Sequence, residues 1–155
     1  LLARDLALIG QGKSDPFAVV ELPGMSNKIT TDVISDNTNP IWAKRGTFPY
    51  LNKGLKAPRL KVLVFDDDTV GKNYLGEVEI DWMPCLKNEM KGKWMKQKVF
   101  ELTDPDNKLR SKGGVKGSVA LKIRYIPDNL KNILDEEERK LKRDKLNGIN
   151  SDRIE

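Results

Sequence analysis

The residues of this chain best suited to chemistry are carboxylates, and three of them stand in a row. Asp66, Asp67 and Asp68 occur in VFDDDTVGKNYLGEV, residues 64–78, directly behind an apolar run. Adjacent like charges repel, and a chain reversal needs only one turn former. Such a row is either a solvated turn or part of an oxygen cage for a hard cation. Calcium takes about six to eight oxygens, supplied by carboxylates and carbonyls of flexible loops. On an extended strand end, Asp66 and Asp68 point to one side and can face one ion, while Asp67 points to the other.

What is missing narrows the chemistry. The chain contains no histidine, which removes Ser-His-Asp and Cys-His catalysis and the commonest zinc ligand. No Walker loop, Gly-x-Gly-x-x-Gly or Cys-x-x-Cys is present. No catalytic constellation is expected in these residues, and any enzymatic activity would belong to a parent protein. Cys85 is the only cysteine, so an internal disulfide is excluded and a reducing compartment is expected. No apolar run approaches the roughly 20 residues of a membrane span. The chain opens LLARDL, without Met, and reads as a piece of a longer intracellular protein.

The formal net charge of +5 is unevenly spread. Residues 128–155 hold seven basic and eight acidic residues; residues 1–127 hold 21 and 15. The positive first part favours anionic partners such as acidic lipid, nucleic acid or acidic protein.

The elements that must position the carboxylates are strands. PFAVVEL (16–22) is stopped by Pro23-Gly24. KITTDVI (28–34) alternates Ile29, Thr31 and Val33 with polar neighbours, and SDNTNP (35–40) is turn chemistry. IWAKRGTFPYL (41–51), LKVLVF (60–65), YLGEVEIDW (74–82), KWMKQKVFEL (93–102) and GSVALKIRYI (117–126) continue the series. About eight short strands with turn signals between them predict an all-β antiparallel sandwich over 1–127. After Pro127 the pattern changes to a helix over about 129–146, with Asp128 as cap and Gly148 as stop. Leu130, Ile133, Leu134 and Leu141 share one side of it. Asp135–Arg139, Glu136–Lys140 and Glu138–Lys142 are acid-first pairs four apart. Residues 128–155 are therefore expected to form a helical extension or linker.

If successive strands run antiparallel, every second connection returns to the same end. Loops 7–15, 35–40 and 66–73 then share a rim, which brings Asp15, Asp36, Asp66, Asp67 and Asp68 within reach of one another.

Four blocks, ARDL…GKSDPF (3–6 and 12–17), NPIW (39–42), VFDDDTVGKNYLGEV and GSVALKIRYIP, together resemble successive parts of the C2 domain. The resemblance covers roughly residues 1–127. It implies an eight-stranded Greek-key β-sandwich of type-I connectivity that uses those three loops for calcium and acidic phospholipid. Many members of the family bind lipid or protein without calcium. Carried over by position, the family's calcium ligands fall on Asp15, Asp66, Asp68 and Asn73. Ile9 stands where a further aspartate is usual, so calcium is expected to bind weakly or not at all. Asp15 before Pro16 also sets a turn without any metal. Leu8, Ile9 and Val70 are apolar residues at expected loop tips beside Lys13 and Lys72, a set suited to docking on anionic phospholipid. An equally good role for Leu8 and Ile9 is to cover the top of the core.

KNEMKGKWMKQK (87–98) carries five lysines around Trp94. Basic plus aromatic is a nucleic-acid pattern, but Trp94, Phe100 and Leu102 fit the inward face of a strand, and nucleic acid is not expected as a partner. Trp42 is expected in the core. The tail DKLNGINSDRIE has the length of an EF-hand loop, but Leu146, Gly148 and Ile149 occupy positions that need oxygen ligands or glycine. Together these readings predict a non-catalytic, cytoplasmic module peripheral at membranes. The alternative is a calcium-independent protein-interaction module, with the helix offering a surface to a protein partner.

Overall fold

The computed structural model describes residues 2–4, 14–49, 59–109 and 114–151. Leu8, Ile9 and Lys13 lie outside the described residues.

Seven strands are found among the described residues: β1 Leu2–Arg4, β2 Pro16–Glu21, β3 Lys28–Thr30, β4 Leu60–Asp68, β5 Gly71–Ile80, β6 Lys98–Glu101 and β7 Ser118–Leu121. They form two antiparallel sheets, ordered β3-β2-β4-β5 and β1-β7-β6. A single long helix, α1 (Asp128–Ser151), follows. By compactness the chain divides into residues 1–83 with 96–122, and residues 84–95 with 123–155.

The central strand β4 explains the first unit. In LKVLVFD, Leu60, Val62, Val64 and Asp66 alternate with half-buried neighbours, so period-two burial runs on into the acidic row. Burying each of the three aliphatic side chains contributes up to about 2–3 kcal/mol. In β5 the inward parity changes from Leu75 to Val78 and Ile80. Val64 pairs with Gly76 and Phe65 with Tyr74, which leaves Leu75 as the extra residue of a bulge. Gly76 has φ of 145°, and a Cβ there would stand 3.0 Å from that of Leu102. The glycine thus permits the two sheets to meet. Beside it Glu77 and Thr103 exchange backbone hydrogen bonds of 2.9 and 2.8 Å.

Several elements differ from the sequence expectation. Residues 42–49 form no strand: Ala43 sits at φ 49°, outside strand geometry, and Pro49 offers no amide. Strand β3 ends at Thr30. Just beyond it, the Thr31 hydroxyl accepts from the Ala18 amide at 2.9 Å and donates to the Asp32 carbonyl. Trp42 is buried, as expected, and its indole N–H donates to the Pro16 carbonyl at 3.1 Å.

In the second unit, Gly92 and Met95 donate to the carbonyls of Tyr125 and Ile123 at 2.8 and 2.9 Å. Trp94 is not an inward strand residue. It is 41% exposed and carries the Arg124 guanidinium 4.3 Å above its ring. Arg124 also donates to Glu138 of α1 at 2.7 Å, so Glu138 is engaged off the helix. Gly148 does not stop α1, which runs on to Ser151; one interior glycine costs about 1 kcal/mol, too little to break a continuous helical ladder.

Candidate functional site

Strands β2 and β4 are held in a register that places Pro16 opposite Asp66. Proline suits the first position of a strand, where its missing N–H is not needed. This register sets the Ser14–Asp15 segment beside the end of β4. The Asp15 amide donates to Asp66 Oδ1 at 2.6 Å, and the Asp15 carbonyl accepts from the Asp67 amide at 2.9 Å.

The loop at 35–40 is fastened to the same place. Asp36 donates its amide to Asp15 Oδ1 at 2.6 Å, and Asn37 donates to the Ser14 carbonyl at 2.9 Å. The Pro16 carbonyl accepts from Ile34 as well as from Trp42. Asp15, Asp36 and Asp66 are therefore brought together at one pole, as the antiparallel counting requires. Asp15 and the 35–40 loop are tied there through backbone amides.

Asp66 is 5% exposed. Burial pushes its carboxyl above the usual range; the charges of Asp15, Asp68 and Asp67 add to the rise, and the hydrogen bond from Asp15 opposes it. Asp67 and Asp68 are exposed. Asp68 Oδ1 accepts from the Thr69 amide at 2.7 Å and so shapes the hairpin turn. Asn73 lies opposite Asp66, and Lys72 opposite Asp67.

Of the four side chains expected as calcium ligands, three already accept hydrogen bonds from the main chain: Asp15, Asp66 and Asp68 each give an oxygen to a backbone amide. Among the described residues, no group of three or more acidic, histidine or cysteine side chains stands together so as to hold a metal ion.

The hairpin tip carries one apolar side chain. Val70 is 95% exposed between Thr69 and Gly71, the latter at φ 136°. On the outer face of the sheet Phe17 stacks on Phe65 at 5.4 Å, and Tyr74 meets Phe65 edge-on. The Lys72 ammonium lies 4.5 Å from the Phe65 ring centroid. This cation–π contact braces Lys72 next to the tip.

A polar network escaped the sequence reading. Glu77, 1% exposed, accepts from the Tyr74 hydroxyl at 2.8 Å. Lys61 and Lys108 stand 3.4 and 3.9 Å from its carboxylate. Its signal in the sequence was Gly76, an isolated glycine inside a strand pattern, which marks a bulge or a close approach.

Two antiparallel sheets with hairpin ends fastened at one pole define the class, and the sequence agrees: the chain belongs to the C2 domain family, whose profile matches residues 1–110. Multiple C2 and transmembrane domain-containing protein 1 of Homo sapiens is 36% identical over 106 residues, covering 68% of this chain and 10% of that protein. Extended synaptotagmin-2-A of Xenopus laevis is 28% identical over 149 residues, 94% of this chain and 15% of that protein. The chain thus spans a small part of these relatives' length. A solved C2 domain of plant extended synaptotagmin 1 superposes with a TM-score of 0.67 at 21% identity, covering 82% of this chain and 89% of that one. At this identity the likeness shows the fold. Among the described residues, no helix is long and apolar enough to cross a membrane.

Proposed function

We propose that this C2 domain is a non-catalytic targeting module that docks on anionic phospholipid through the pole carrying Asp15, Asp66 and Val70, without needing calcium. The observation that carries the reading is Val70, almost wholly exposed on a turn whose flanks are fixed. Inserting a valine into the headgroup boundary gains about 1–2 kcal/mol. Lys72, braced on Phe65, faces the lipid phosphates, and the net charge of +5 draws the domain toward an acidic surface. Lys13, Leu8 and Ile9 belong to the same docking set by their place in the first loop. The amide bonds to Asp15 and Asp66 support independence from calcium, because they fasten Asp15 and Asp36 with groups of the chain itself. An eighth strand and Greek-key, type-I connectivity complete the proposed architecture, and a cytoplasmic, peripheral location follows from the same reading.

Co-sedimentation with vesicles tests it. The full chain is expected to pellet with phosphatidylserine-rich vesicles, and not with neutral ones, to the same extent in chelator and in calcium. Val70→Asp should lower the partition coefficient about tenfold. No pelleting under any condition would sink the membrane reading and favour the protein-interaction alternative.

A further inference from the structure

Helix α1 divides sharply by charge. Its first part, residues 128–138, holds five acidic residues and one lysine; residues 139–146, RKLKRDKL, hold five cations and one aspartate. Every side chain from 139 to 148 is exposed. Leu141 and Leu146 are 57% and 60% exposed. None of Arg139, Lys140, Lys142, Arg143 and Lys145 forms an ion pair with a described residue.

Acid-first charge along a helix complements its dipole, but that does not call for exposed leucines. Their placement does more. At about 100° per residue, Leu141, Lys142, Lys145 and Leu146 occupy one face roughly 140° wide. Leu141 lies one turn from Lys145, and Lys142 one turn from Leu146. Glu138, which reaches Arg124, falls on the same face. Past that tie, the face presents alternating leucine and lysine to solvent. Lys140 and Arg143 lie on the back.

We infer that the 139–148 half of α1 is a second lipid-contacting surface, which lies along an anionic bilayer with Leu141 and Leu146 at the acyl boundary and Lys142 and Lys145 at the phosphates. Charge complementarity selects the partner. Four net positive charges over two turns suit a surface of acidic headgroups, and the flanking lysine stems let leucines enter while the ammonium groups stay in the aqueous layer. This surface shares no residue with the Val70 pole and stands on its own observations.

The test uses the full chain and vesicles of phosphatidylcholine with or without phosphatidylserine. Lys142→Gln/Lys145→Gln removes two cations, each contributing roughly fivefold near such a surface, so partition into acidic vesicles is expected to fall about 25-fold. Leu141→Gln/Leu146→Gln keeps the charge and should also weaken binding severalfold. Lys140→Gln/Arg143→Gln, on the back, should have a smaller effect than the face pair. Glutamine is a good helix former, and circular dichroism checks that helicity is retained. Equal effects of face and back pairs would reduce the inference to unspecific attraction and overturn it. So would unchanged binding, or light scattering showing that Leu141 and Leu146 hold two copies of the chain together. Repeating the face pair in Val70→Asp separates the two surfaces: if only the pole reading fails, Val70→Asp is silent and the helix effect persists.

Discussion

The Asp15 amide donates to the Asp66 carboxylate, 51 residues further along the chain, at 2.6 Å. One buried oxygen thereby fixes Asp15 against the end of β4. The same carboxyl is pushed up, by burial first and by neighbouring Asp charges after it, so the folded protein holds this proton to higher pH than the unfolded chain.

The stability tied to Asp66 is then fully present in acid and is lost as pH rises through the raised value. Asp66→Asn keeps an oxygen for the Asp15 amide and removes the charge. Thermal melts should show it more stable than the parent near pH 7 and no more stable at about pH 3, below the ordinary value of a free aspartate. Asp66→Ala strands the Asp15 amide and should cost about 1–3 kcal/mol at both. An Asn variant less stable than the parent at neutral pH would show that the charge itself is needed.

Calcium gives the second prediction. A ligand bound only by the native state must raise the melting temperature; about 1 mM calcium against chelator is expected to leave it unchanged. Asp67→Asn/Asp68→Asn should strengthen calcium-free binding to acidic vesicles, by up to roughly fivefold per charge removed. A melting rise in calcium that this double variant abolishes would place a calcium ligand in this pair.

Gly76 and Gly71 both lie at positive φ, 145° and 136°, but only Gly76 is crowded, by Leu102, Thr103 and Val115. Alanine at Gly71 carries backbone strain alone, about 1–2 kcal/mol. At Gly76 the clash adds to it, for about 3 kcal/mol or more. Denaturant titration of the two variants should rank them in that order, and equal losses would show that the sheets can separate there without cost.

The Glu77 network makes the fourth. Tyr74→Phe deletes the 2.8 Å bond to Glu77 and should cost about 1 kcal/mol. In a cycle with Glu77→Ala, which removes the acceptor, a coupling of about 1 kcal/mol is expected. Additive losses would mean that the Tyr74 hydroxyl acts through the Thr103 carbonyl, 3.5 Å away, rather than through Glu77.

Much of the sandwich was legible because burial leaves a simple trace. Leu60, Val62 and Val64 alternate in sequence as they do in space, and antiparallel counting alone brought Asp15 to Asp66. The failures have physical causes. Glu77 pairs with Leu63 on the face opposite to Val62 and Val64, as its place among polar neighbours suggests, yet Tyr74, Lys61 and Lys108 lie against it there, and it is among the most buried side chains. Trp94 fits a strand's inner face by period, but pairing with Arg124 keeps it partly in water. Residues 42–49 have strand-like composition, while Ala43 takes a backbone conformation that composition does not encode. Backbone amides as partners for Asp15 and Asp66 were also invisible, since every residue has one and none announces where it points.

The knot of amide bonds around Asp15 bears on timing. A domain whose docking surface must wait for an ion reports the rise and fall of that ion; one whose surface is held by its own main chain, as proposed for this pole, is ready at synthesis. Under the proposed lipid docking, such an adaptor would act as a constitutive tether, released by changes in lipid charge rather than by a transient second messenger.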